Sequence, residues 1–401
     1  MMEKNMTGPL DGIRVIEFTS VVLGPFACQI LGDLGADVIK VEPPGGDTNR
    51  NLGPVKNTKG LAALFLTCNR NKKSIVLDLK SDEGHEAALK LIATADVVVH
   101  NFRPKAMEKL RLHYQAVKKV TPDIIYCATY GFSKKGPYGD RGALDDSIQA
   151  ASGIAMLMKM VEGEPRYLPT IIGDKTTGLN VANAVTAALF HRERKGVGQE
   201  IEVPMFETMV SYIMVEHLWG QVFEPPLAPA GYTRLMSNHR RPYKTKDGYI
   251  AVLPYWDNHW ATFCKLIDRE DMISDKRFIN MKSRLENIDV TYSETGKALA
   301  ERTTDEWLTV LKNTNVPHMH VSELDDLMQN EHLIESEFWE MHEHPSEGTL
   351  RMPKLPIYFS ESPASIRLMP PELGAHNDEL LNEIGYSEDE ISKLKEKGIT
   401  S

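Results

Sequence analysis

The sequence predicts an α/β fold with a Rossmann-like parallel sheet, and three observations predict it. Short runs rich in Val and Ile alternate with helical patterns through the first half. Such βαβα order implies parallel strands covered by helices. From Tyr243 onward the pattern begins again with its own strands and helices, and 401 residues suit two domains rather than one.

Taken in order, Arg14–Phe18 reads as the first strand. Gly24-Pro25 opens a helix through Leu34 that stops at Gly35, and Ala36–Glu42 is the second strand. Ser74–Leu79 is the third strand, followed by a helix over Ser81–Ala93. Asp96–His100 and Asp123–Cys127 are the fourth and fifth strands. Ile171-Ile172 reads as the end of a strand that turns at Gly173, with a helix from Leu179 to Arg194 behind it. The stripe Leu179, Val181, Ala182, Val185, Ala188 and Leu189 is expected to pack in the core. Strand Gly198–Val203 and a helix over Met205–Val222 follow, and Pro225–Gly231 is a loop by composition. The second unit reads as strand Gly248–Leu253, helices near 257–267, 276–287, 293–300 and 304–313, and strand-like His318–Val321. The tail from His376 is helical and charged.

Hydrophobic residues make up 42% and charged residues 25%, an ordinary globular balance. The formal charge of −10 argues against nucleic acid, whose binders carry a basic face. Cys28, Cys68, Cys127 and Cys264 lie far apart with no C-x-x-C pattern, which fits a reduced, cytoplasmic protein. Met1–Leu10 is polar and predicts no signal peptide. No run approaches the roughly 18 apolar residues that would cross a bilayer.

The first strand–helix turn, Thr19 to Pro25, lacks G-x-G-x-x-G, so no NAD or FAD is expected, although Glu42 ends the second strand as a ribose-binding acid would. His342-Glu343-His344 has no third ligand at a metal-binding spacing and is expected to be a surface loop; no metal is predicted. Asp174 is the residue with two readings. At the mouth of a helix its carboxylate can cap free N–H groups, or it can act as a nucleophile toward an acyl group. Two basic clusters stand out, Asn69-Arg70-Asn71-Lys72-Lys73 before the third strand and Asn101-Phe102-Arg103-Pro104-Lys105, with Lys109, after the fourth. Ligands of open parallel sheets bind beyond the carboxyl ends of strands, where the second cluster falls. Guanidinium, ammonium, amide and aromatic groups together suit an adenine nucleotide with phosphates.

Pro9–Glu17, Gly24-Pro25, Leu31–Glu42 and Asn69–Leu79 resemble the class III CoA-transferases, the formyl-CoA transferase and carnitine CoA-transferase family. So do Asn101-Phe102-Arg103-Pro104, Gly136-Pro137-Tyr138, Gly173-Asp174 with Thr177-Gly178, Pro204–Glu207, Arg241–Tyr249 and Leu373–Asp378. The matches run over nearly the whole chain. The resemblance implies a large CoA-binding domain over 1–225, a small α+β domain over 226–315, and a segment 316–401 that returns to the large domain. It also implies an interlocked homodimer. Asp174 would be the nucleophile, and coenzyme A or acyl-CoA would be a substrate rather than a permanently bound cofactor. By position, Val21 would wall the thioester, and Asn69, Lys72, Asn101, Phe102 and Lys109 would contact CoA. Arg70, Lys73, Arg103 and Lys105 are neighbours whose charge suits its phosphates.

The chain also departs from that pattern. Val22 stands where formyl-CoA transferase-like members carry a glutamine, Pro43 replaces an arginine of some relatives, and Arg234–Arg241 stands in place of a glycine-rich flap. These differences argue against oxalate as acceptor. His239, Arg240 and Arg241 could bind the far carboxylate of a dicarboxylate or hold a domain junction. The implied reaction moves CoA from an acyl-CoA donor, succinyl-CoA among the candidates, to a carboxylic acid through aspartyl anhydride and aspartyl-CoA intermediates. Asp174 would be kept ionised by the helix N-terminus. Two alternatives stand beside it. An α-methylacyl-CoA racemase would need a histidine in Gly142–Asp146, which has none; Asp145 and Asp146 read as structural or supporting groups. A non-catalytic CoA-binding protein would have no need of Asp174.

Overall fold

The computed structural model describes residues 8–401. It divides into two compact units. One comprises the chain up to Ala155, Tyr167–Tyr212 and Ser336–Ser401; the other comprises Met156–Arg166 and Ile213–Glu335.

The first unit is built on a six-stranded, wholly parallel sheet. Its strands are β1 (Arg14–Phe18), β2 (Asp37–Glu42), β3 (Lys72–Val76), β4 (Val97–His100), β5 (Ile125–Tyr130) and β6 (Glu200–Pro204), in the spatial order β3-β2-β1-β4-β5-β6. Order reverses between β1 and β4, which opens a crevice at their carboxyl ends. The apolar runs read from the sequence are these strands, and β1 and β4 are buried almost throughout. The expected mixed α/β fold with a parallel sheet is therefore present.

Helices α1 (Leu23–Asp33), α2 (Ala63–Cys68), α3 (Asp82–Ile92), α4 (Pro104–Lys109) and α5 (Tyr114–Val120) connect the first five strands. Ser81 caps α3 by accepting from the Gly84 amide. Next come α6 (Asp145–Ser152), α7 (Ile154–Glu162), α8 (Ile172–Lys195) and α9 (Met205–His217). Three expectations are corrected here. No strand precedes Asp174: Ile172 and Gly173 are already the first helical residues of α8. Leu179 is 56% exposed, although the rest of its predicted stripe is buried. The third strand begins at Lys72, two residues early, because its lysine is buried rather than solvated.

The second unit holds β7 (Tyr243–Lys244), β8 (Tyr249–Val252) and β9 (His318–His320), an antiparallel sheet. Helices α10 (Asp257–Leu266), α11 (Asp271–Ser274), α12 (Met281–Glu286), α13 (Ile288–Leu299), α14 (Thr304–Leu311) and α15 (Glu331–Glu335) complete it, around Trp260, Phe263, Phe278 and Trp307. The chain then returns to the first unit as hairpin β10 (Trp339–His344) and β11 (Gly348–Pro353), with α16 (Asn377–Glu383) and α17 (Glu388–Glu396).

This tail closes the sheet on one side. β3 is an edge strand, and its outward groups need partners. The Ser74 amide donates to His376 Nδ1 at 3.1 Å, and the His376 amide donates back to the Ser74 carbonyl at 3.0 Å. Val76 donates to Asn377 Oδ1 at 2.8 Å, and Asp78 to the Ile399 carbonyl at 2.8 Å. Leu380, Leu381, Ile391, Leu394 and Ile399 join the sheet's core cluster. Among the described residues no helix is long and apolar enough to cross a membrane.

Candidate active site

Asp174 is the third residue of α8, in the turn where backbone N–H groups have no helical acceptor. Its own amide donates to Asp145 Oδ1 at 3.0 Å, and the other Asp145 oxygen accepts from Gln149 Nε2 at 2.6 Å. Gln149 in turn accepts from the Leu168 amide at 2.8 Å. Asp145 therefore fixes the start of α8 from the start of α6. The approach depends on Gly173, where a Cβ would lie 3.0 Å from Asp145 Oδ1 and 3.4 Å from the Met205 sulfur. One turn on, a Cβ at Gly178 would lie 2.9 Å from the Leu23 carbonyl oxygen, so α8 lies directly on α1.

The Asp174 side chain is only 7% exposed, and among the described residues no cation pairs with it. Burial first, and then the Asp145 charge, push its carboxyl up to about 7. The helix N-terminus favours the ionised form, and burial with the Asp145 charge works against it. A carboxylate so placed is short of solvation and of partners, which favours attack on an electrophilic carbonyl.

The β1–α1 turn stands at the crevice where sheet order reverses. Val21 has φ +69°, a left-handed conformation that costs a β-branched residue on the order of 1–3 kcal/mol. Its amide donates to Asp47 Oδ1 at 3.2 Å, and its carbonyl accepts from Asn49 Nδ2. Asn101, immediately beyond β4, clasps the neighbouring Ser20 by accepting from its amide at 3.1 Å and donating to its carbonyl at 2.8 Å. Val22 is buried as the residue before α1. Val21, Val22 and Asn101 thus meet at one place, with Phe102 packed on the core just beyond it.

The turn is supported from behind by buried charges. Lys40 Nζ donates to the Thr19 carbonyl at 2.8 Å and pairs with Glu17 at 3.1 Å and Asp47 at 2.9 Å. Burial works against its charge, yet Glu17, Asp47 and Glu42 together raise its pKa above the ordinary lysine value. Lys72 Nζ meets the Pro25 carbonyl at 2.8 Å, Asn69 Oδ1 at 2.9 Å and Glu17 Oε2 at 2.8 Å. An ammonium has three donors, and all three are taken inside the fold. Asn69 and Lys72 are therefore placed behind the turn. Glu42 is likewise occupied, by Arg50 at 2.6 Å and Ser74 at 2.7 Å.

The remaining basic residues separate. Arg70 is buried against Asp33 at 2.7 Å, and Lys73, at the amino end of β3, pairs with Glu379 at 2.8 Å. Lys105 is exposed and pairs with Asp140 at 2.6 Å; Arg103 donates weakly to the Asp140 carbonyl at 3.4 Å, and Lys109 is exposed. His239, Arg240 and Arg241 belong to the second unit and are exposed there. His342-Glu343-His344, expected as a loop, is strand β10. His344 is buried, meeting the Pro370 carbonyl at 2.9 Å and accepting from the Glu347 amide at 3.2 Å. Asp145, read from the sequence as a structural or supporting group, holds the Asp174 amide. Its i,i+4 spacing to Gln149 was the available sign of a helical hydrogen-bonded pair.

A family model described as CoA-transferase family III matches residues 10–377. A protein of Mycobacterium tuberculosis named "Probable fatty acyl-CoA transferase" is 34% identical over 94% of this chain and 98% of its own length. The mouse succinyl-CoA:glutarate CoA-transferase is 31% identical over 98% of this chain and 90% of its own. Among solved structures, a variant of the mycobacterial protein superposes with a TM-score of 0.84 at 33% identity, covering 94% of this chain and 99% of that one.

Proposed function

The chain belongs to CoA-transferase family III and is an enzyme of that class, and from this premise we propose that Asp174 carries the CoA covalently between donor and acceptor. The Asp174 carboxylate attacks the thioester carbonyl of an acyl-CoA. The C–S bond breaks, leaving a mixed anhydride and CoA thiolate. The thiolate attacks the aspartyl carbonyl, the donor acid leaves, and an aspartyl-CoA thioester remains. The acceptor carboxylate then attacks that carbonyl and releases the thiolate. Thiolate attack on the acceptor's carbonyl yields the new acyl-CoA and restores Asp174. No proton changes hands, so no general base is required.

The observation that carries this reading is the buried, cation-free Asp174 carboxylate in the first turn of α8. Backbone N–H groups of that turn and of the β1–α1 turn are suitable donors to the oxyanions. Asn101, Phe102, Arg103, Lys105 and Lys109 are the CoA contacts we propose, with Val21 and Val22 as walls near the thioester. Asn69 and Lys72 serve by holding the turn. Succinyl-CoA is the proposed donor, in keeping with the substrates in the mouse relative's name. The same reading makes the enzyme a cytoplasmic, interlocked homodimer.

Mass spectrometry after incubation with a panel of acyl-CoAs, succinyl-CoA included, tests it. A CoA-sized adduct on the Asp174 peptide, converted by hydroxylamine to a hydroxamate, is expected for the wild type and not for Asp174→Ala. Turnover by Asp174→Ala at the wild-type rate would sink the mechanism.

A further inference from the structure

The second unit contains a cleft of about 380 Å³, within the size range of small-molecule sites. Arg234, Arg240 and Arg241 line it, and no Asp or Glu does. Arg234 is fixed in place. Its Nε donates to the Tyr292 hydroxyl at 2.9 Å, and its guanidinium lies 4.8 Å from the centre of the Tyr255 ring. Neutral phenols orient that charge without cancelling it. Arg284, which sits close by in the same unit, shows the contrast, since it pairs with Asp257 at 2.6 Å. Arg240 and Arg241 have no carboxylate partner among the described residues.

Three like charges gathered on one concavity repel one another unless an anion joins them. A guanidinium fork matches a carboxylate in two parallel hydrogen bonds. The rest of the lining points to the kind of anion. Ala251 and Met319 are paired across β8 and β9, and with Leu253 and Pro317 they give the cleft an apolar wall. A phosphate group gains nothing from that wall, whereas a short methylene chain does. His318 completes the lining; its Nδ1 is 2.8 Å from the Val316 carbonyl, so it donates there and leaves Nε2 free.

We propose that this cleft binds short dicarboxylates, one carboxylate on the three guanidinium groups and the methylenes along the apolar wall. The proposal deepens the CoA-transfer reading and rests on it for one point, that the bound acid is a substrate. Arg234, fixed by its two tyrosines, sets the position of the carboxylate; Arg240 and Arg241 add charge and close contacts around it.

Isothermal titration of the whole protein tests this with four probes: glutarate, butyrate, inorganic phosphate and CoA. Glutarate should bind at least tenfold more tightly than butyrate or phosphate. Arg234→Gln and Arg241→Gln should each weaken glutarate at least tenfold and leave CoA affinity within twofold. Arg241 is exposed, so its variant remains informative should Arg234→Gln fold poorly. Equal affinity for glutarate and butyrate would overturn the proposal. So would wild-type glutarate binding by a folded Arg241→Gln, or phosphate binding as tightly as glutarate. Loss of CoA affinity in the variants would instead make the cleft a nucleotide site and overturn it as well. Binding is read without turnover. A missing adduct on Asp174 would count against covalent transfer and not against the cleft; a cleft that ignores glutarate would leave transfer to a monocarboxylate intact.

Discussion

Asp174 has to be ionised to attack, and its carboxyl is pushed up to about 7. The sign follows directly. Below that pH the nucleophile is protonated, so kcat/KM should fall as the medium is made more acidic through about 7. The second cause of the shift is Asp145, whose charge raises the cost of a second negative charge beside it. Asp145→Asn keeps the side chain's size and an oxygen for the Asp174 amide while removing the charge. The acid limb should then move down yet stay above the ordinary carboxylate range, because burial, the larger cause, stays in place. A limb that does not move would show that Asp145 acts only as a hydrogen-bond acceptor. At this scale only part of the candidate site is legible in the sequence. Asp174 was legible from its glycine and threonine neighbours. Its ionisation was not, because that depends on burial in the fold and on a carboxylate 29 positions away. Lys72, expected by resemblance among the CoA contacts, lies buried on Glu17, a partner that only the fold reveals.

Elements place these residues, and the junction of α8 with α1 matters most. It brings the helix bearing the nucleophile onto the helix that opens at the β1–α1 turn. At Gly178 the approach is close, since a Cβ there would lie 2.9 Å from the Leu23 carbonyl oxygen. Backbone cannot yield there as a flexible side chain would. Gly178→Leu should therefore cost about 1–3 kcal/mol in urea unfolding and depress activity with it, whereas Gly45→Ala, where nothing lies within 4 Å and the backbone is not left-handed, should do neither. Equal unfolding midpoints for wild type and Gly178→Leu would mean that the two helices part freely. The strands were legible because a parallel sheet buries both faces and so writes Val and Ile in runs. Helices α6 and α7 were not, since a start in Asp145-Asp146-Ser147 resembles a loop. Ile171-Ile172 suggested a strand for the same reason in reverse: β-branched residues tolerate the first turn of a helix, and the tertiary contact with Asp145 decides.

At the scale of the whole molecule, several large apolar side chains are exposed. Phe190 is 66% exposed on α8 and Val215 is 83% exposed on α9, with Leu227 at 74%. The proposed homodimer would cover side chains of this kind. Light scattering at micromolar concentration should give twice the chain's mass, and a monomer would remove the interlocked arrangement. Association of this kind left no pattern in the sequence beyond resemblance, since a buried helix face and a dimer face carry the same residues. The tail that caps β3 has a further consequence, for the order of events during synthesis. Val76 and its acceptor Asn377 are 301 positions apart. At about 5–20 residues per second, the ribosome needs on the order of 15–60 s to cover that gap. Through that interval the nascent sheet has one edge unpaired and part of its core uncovered, until residues 376–399 emerge.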